Sequence, residues 1–133
     1  MNKSKNFVYS LIYALLLLSS CSNKSSTLLT SDEYKQLLQQ TVLVIPDSLL
    51  TEDQRQFIKE LENFIYDNSY VMDNRIHLSV GRDAFKSAGI PEHYYDIISY
   101  QFNEVNDFAN KPHPKYPDYS FNLDSLLRVA KGQ

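Results

Sequence analysis

The side chains able to do chemistry are few and scattered. The chain has one cysteine, Cys21, and three histidines, His77, His93 and His113. The histidines fall in different predicted elements and no two lie a helical turn apart, whereas zinc sites usually show close ligand pairs. Asp32–Glu33 are adjacent and Glu60–Glu62 two apart, spacings that do not place a working acid and base on one helix face. Ser, His and Asp are all present, but a catalytic triad is recognised by geometry and not by inventory. The sequence has only three glycines, no phosphate-binding loop, no G-x-S-x-G, no H-E-x-x-H and no EF-hand loop. The expectation is a non-catalytic protein with no cofactor and no metal.

Contact chemistry is better represented. Residues 111–119, Lys-Pro-His-Pro-Lys-Tyr-Pro-Asp-Tyr, carry three prolines, which exclude helix and central strand and predict an extended arm. Rigid backbone and amphipathic rings lose little entropy on binding, so His113, Tyr116 and Tyr119 are candidate contact residues. The plainer reading is that Tyr116, Tyr119 and Phe121 pin the arm to its own domain. Tyr100, read as pointing outward among Asp96, Asn103 and Asp107, is a fourth candidate.

The elements that must position these residues follow from caps and periodicity. Thr30-Ser31-Asp32-Glu33 forms a capping box that starts a helix to about Gln40, and the β-branched run Thr41 to Ile45 predicts extended chain before Pro46. Thr51 with Gln54 caps a second helix, about 52–66, whose Phe57, Ile58, Leu61, Phe64 and Ile65 share one face. The opposite face, Arg55, Lys59, Glu62 and Asn63, reads as solvated. Tyr70 to Met72 and Ile76 to Val80, joined by Asp73-Asn74, predict a β-hairpin over about 69–79. Ser79 is expected to cap a short helix through Phe85 that ends at Ala88-Gly89, with Ile90 folding back.

Pro91 and Glu92 then suit the first turn of a long helix, about 91–109, whose apolar residues Tyr94, Tyr95, Ile97, Ile98, Phe102, Val105, Phe108 and Ala109 predict a central position. Asn122 caps a last helix that presents Leu123, Leu126, Leu127 and Val129 for docking, with Gly132 closing it. The fold class expected is α+β, mainly helical: a small single domain of four to five helices with one β-hairpin, spanning 31–133.

The first 21 residues have a separate grammar. Lys3 and Lys5 precede an apolar stretch from Phe7 to Leu18, too short for a membrane-spanning helix, and Leu18-Ser19-Ser20 lead into Cys21. Leu18-Ser19-Ser20-Cys21 resembles the lipobox of bacterial lipoproteins. The resemblance covers residues 1–21 and implies that 1–20 are a signal peptide removed on maturation, that Cys21 carries lipid, including an acyl chain such as palmitate, and that the protein is anchored to a membrane. It implies no activity. Residues 21–30 then read as a lipidated cysteine and flexible tether, with a reach of roughly 16 Å and at most ~30 Å when stretched.

Composition narrows the partner. Thirteen Lys and Arg stand against 16 Asp and Glu, and loss of Lys3 and Lys5 makes the remainder more acidic. Nucleic acid is therefore not expected, because phosphate binding needs clustered cations. With Cys21 acylated no thiol remains for a disulfide, so stability rests on packing among the aliphatic residues and the 14 aromatics left of 10 Tyr and 7 Phe once Phe7, Tyr9 and Tyr13 are removed. The expected protein is a lipid-anchored envelope module that binds another protein or an envelope polymer. Ser22, where aspartate would signal inner-membrane retention in such lipoproteins, leans toward the outer membrane, on its periplasmic face. Two rivals stay open: an inhibitor or immunity lipoprotein that neutralises a toxin or hydrolase, for which an acidic surface would aid association, and a periplasmic enzyme.

Overall fold

A computed structural model describes residues 29–115 and 121–132. In chain order these form helix α1 (Ser31–Leu38), two 3₁₀ turns (Val42–Val44 and Asp47–Leu49), helix α2 (Glu52–Asp67), strands β1 (Ser69–Met72) and β2 (Arg75–Leu78), and helices α3 (Arg82–Ser87), α4 (His93–Asn110) and α5 (Leu123–Ala130). This is a small α+β domain, mainly helical, with one antiparallel hairpin, as the sequence predicts. Among the described residues no helix is long and apolar enough to cross a membrane.

Both threonine capping boxes are present. Thr30 Oγ1 accepts from Glu33 N–H at 3.1 Å while Glu33 Oε1 accepts from Thr30 N–H at 2.9 Å. Thr51 and Gln54 repeat the exchange at 3.2 and 2.9 Å. Each box satisfies donors that the first helical turn leaves unpaired. The predicted extended run after α1 is instead a 3₁₀ turn. Thr41 Oγ1 donates to Leu38 C=O at 2.7 Å and accepts from Leu43 N–H at 3.2 Å, ending the helix and capping the turn with one hydroxyl. Leu43, at the centre of that turn, is buried.

Helix α2 buries Ile58, Leu61 and Ile65, with Phe57 and Phe64 packed at the margin. Full burial of Leu61 alone is worth roughly 2 kcal/mol. Glu62 departs from the solvated face expected for it: it is buried, as is Tyr66 one turn on. Burial, followed by the Glu62 charge, pushes the Tyr66 hydroxyl far above its ordinary value.

The hairpin turns tightly. Ser69 pairs with Leu78 and Met72 with Arg75, leaving Asp73 and Asn74 as a two-residue loop with φ of 54° at both, the left-handed pair of a type I′ turn. The short helix that follows is not capped by Ser79, whose N–H instead extends the ladder to Asn68 C=O at 2.8 Å; Gly81 occupies the cap position of α3 without a side-chain bond. Its other end is as predicted. Gly89, at φ 79°, lets Ile90 N–H return to Phe85 C=O at 2.9 Å and Gly89 N–H to Lys86 C=O at 3.0 Å, and Ile90 and Phe85 are both buried.

Helix α4 is the centre of the domain. Tyr94, Ile97, Ile98 and Phe102 are buried on its predicted stripe, and Tyr94 meets Phe57 of α2 edge-on at 5.2 Å. Its contacts also run to β2, α1 and α3. Helix α5 docks on the hairpin through Leu123, Leu127 and Ala130, capped by Asn122 Oδ1 accepting from Ser125 N–H at 3.0 Å. Leu126 and Val129, expected to dock with them, are exposed, because one helix cannot press both of its flanks onto one sheet.

Candidate functional site

A groove of about 370 Å³ lies between β2 and α4. Strand β2 contributes Arg75, His77 and Leu78, and α4 contributes Tyr95, Ser99 and Asn103. Beneath them the buried Ile76 and Phe102 join the groove to the core. The side chains at its surface are mostly hydrogen-bonding groups on regular elements, an arrangement held in place before any ligand arrives.

Asn106 sets the spacing between strand and helix. Its Oδ1 accepts from Ile76 N–H at 2.7 Å and its Nδ2 donates to Ile76 C=O at 2.9 Å. One turn later Asn110 Nδ2 donates to Asn74 C=O at 3.0 Å. The free edge of β2 at Ile76 and the turn before it at Asn74 are thereby both tied to the helix, and the groove opens where these ties stop.

Tyr95 is oriented from behind. Phe85 meets its ring edge-on at 5.5 Å, and the Arg82 guanidinium lies 5.2 Å from the ring centre. Arg82 is itself fixed by a bidentate pair with Asp96, both contacts at 2.7 Å. On the outward face of the hairpin Tyr70 stacks on His77 with centroids 5.2 Å apart and planes at 23°, and both Tyr70 and Met72 are exposed beside it. Among the described residues Arg55, Arg82 and Arg128 each have an aspartate partner, and Arg75 has none.

The sequence-derived candidates fare differently. Tyr100 does not point outward as expected: it is only 4 % exposed and stacks on Tyr34 with ring centroids 4.1 Å apart. Helix α1 covers the flank of α4 that polar neighbours had marked as outward. Burial raises the pKa of both hydroxyls, Tyr34 to about 12, although hydrogen bonds with Gln101 and Ser31 respectively work in the opposite sense. His113 lies beyond α4, half-buried where it was expected to stand clear, and its Nδ1 accepts from Lys115 N–H at 3.2 Å. Tyr116, Tyr119, Cys21 and the tether up to Thr27 and Leu28 lie outside the described residues.

The three histidines do not converge. His77 lines the groove, His93 sits at the start of α4 against Tyr94 with its Nε2 buried and without a hydrogen bond, and His113 follows the helix. Among the described residues no three His, Cys, Asp or Glu side chains cluster as metal ligands would.

Sequence reasoning missed the groove. Its one linear trace is Asn103, Asn106 and Asn110, which share a flank of α4 at helical spacing. No protein-family model, curated protein or solved structure matches this chain.

Proposed function

We propose that this chain is a lipid-anchored module of the bacterial envelope, non-catalytic, that binds another protein or an envelope polymer at the membrane surface. The β2–α4 groove is the observation that carries the reading. It offers Arg75, His77, Ser99 and Asn103 as hydrogen-bonding groups on a helix and a strand that are bonded to each other, which is the construction of a recognition site. The Leu18-Ser19-Ser20-Cys21 segment supports the location, and the short tether keeps the groove within a few tens of ångströms of the bilayer.

The test is affinity capture from membranes with the full chain, with Cys21→Ala as control, and mass spectrometry of what copurifies. A stoichiometric partner that survives high salt and is lost with the Cys21→Ala chain is expected. Lipidated protein that captures neither a protein nor an envelope polymer contradicts the reading.

A further inference from the structure

Helix α4 completes the free edge of β2 in steps. Asn106 makes both bonds to Ile76 that one peptide unit of a neighbouring strand would make, and Asn110 takes the Asn74 carbonyl. An antiparallel ladder turns the N–H and C=O of every second residue to the same edge. Leu78, two beyond Ile76, therefore presents its pair on this edge, while Ser79 turns the other way and gives its N–H to Asn68. No side chain of α4 takes the Leu78 groups as Asn106 takes those of Ile76. The groove opens there instead, between Leu78 and the helix residues Ser99 and Asn103.

We infer that this groove binds the carboxylate end of an extended peptide, whose last peptide unit pairs with the N–H and C=O of Leu78 and whose carboxylate meets Arg75. Two observations select a chain end over a strand passing through. Asn106 already occupies the edge at Ile76, so an added strand has to stop there. Arg75, on the same side of the groove, lacks a carboxylate partner among the described residues and supplies the planar donor fork that pairs with a carboxylate bidentately. Pairing to a sheet edge gives affinity through the backbone, and the terminal charge fixes the register. His77 and Asn103 flank the terminus as further donors.

The inference rests on the binding-module reading above and has its own test. The full chain in detergent micelles is titrated with N-acetyl-Ala-Val-Ala bearing a free carboxylate, and with the same peptide amidated, while backbone amide resonances are followed by NMR. The free acid is expected to move Leu78 and Asn103, and the amide to bind roughly tenfold more weakly, as loss of a charge-assisted contact implies. Arg75→Gln, at an exposed position, should bring the two peptides to equal affinity, and Asn103→Leu should block both by filling the groove. No shift at Leu78, equal affinity of acid and amide for the unmodified chain, or shifts produced by N-acetylglucosamine oligomers and not by the peptides would each overturn the assignment. A partner captured from membranes with no peptide response removes the groove assignment alone; a peptide response with nothing captured removes the envelope-module reading alone.

Discussion

Asn106 brackets Ile76, its carboxamide accepting from the strand N–H at 2.7 Å and donating to the strand carbonyl at 2.9 Å, with both residues about 5 % exposed. The hairpin and the central helix are joined by this side chain where a third strand would otherwise lie. Asn106→Ala leaves two buried backbone groups unpaired, and the loss should be roughly 2–4 kcal/mol. Asn106→Asp keeps the acceptor but loses the donor and buries a charge, so it should rescue little. Urea unfolding of the two variants checks both.

A second prediction concerns the turn. Asn74 supplies one of the two left-handed residues of the hairpin loop, and its side chain also holds the start of α5: Oδ1 accepts from Leu123 N–H at 2.9 Å and Nδ2 donates to Phe121 C=O at 2.8 Å. Glycine suits the turn but cannot make those bonds. Asn74→Gly should therefore destabilise by about 1–2 kcal/mol despite its favourable turn conformation. Hydrogen exchange at Leu123 should accelerate while the hairpin amides stay protected.

The C-terminal end of α3 offers a cleaner backbone test. A Cβ at Gly89 would meet no atom within 4 Å, so Gly89→Ala measures the left-handed φ of 79° without a clash. The expected loss is about 1 kcal/mol, and Gly89→Asn should lose less because asparagine tolerates this region. Thermal unfolding of the pair distinguishes them.

The pH dependence follows from the buried tyrosines. Tyr34 is pushed up to about 12 from 10 by burial, and Tyr66, Tyr94 and Tyr100 are raised for the same leading reason. Below pH 10 the hydroxyls are protonated in both folded and unfolded chains, and the stability they support is fully present. As pH rises from 10 toward 12 the unfolded chain ionises while the folded one resists, so stability falls. The urea midpoint should drop steeply between about pH 10 and about pH 12, with less change in Tyr34→Phe.

Much of the fold is legible in the sequence because its signals are local. The Thr30 and Thr51 boxes, the Gly89 stop, the Asp73-Asn74 turn and the Asn122 cap each depend on a few neighbouring residues. Tyr100 is buried, against its polar neighbours in sequence, because α4 is covered on two sides. A hydrophobic stripe reports one covered face, whereas Gln101, Glu104 and Asn106 are buried polar residues that disguise the others. Thr41 to Ile45 misled for a different reason: β-branched residues favour extended chain, and the Thr41 hydroxyl overrode them. The groove has no local signature at all, since Leu78 and Ser99 meet only when α4 lies along β2.

The proposed lipid-anchored module engages its partner through the β2–α4 groove. Photo-crosslinking in intact cells tests this most directly, with a benzophenone side chain placed in the full chain at Tyr70, exposed beside the groove residue His77, or at Lys59 on the exposed side of α2. A discrete membrane-associated adduct is expected from position 70, none from position 59, and loss of the adduct when Cys21→Ala is added. No adduct from 70, the same adduct from both positions, or an adduct indifferent to Cys21→Ala would contradict the proposal.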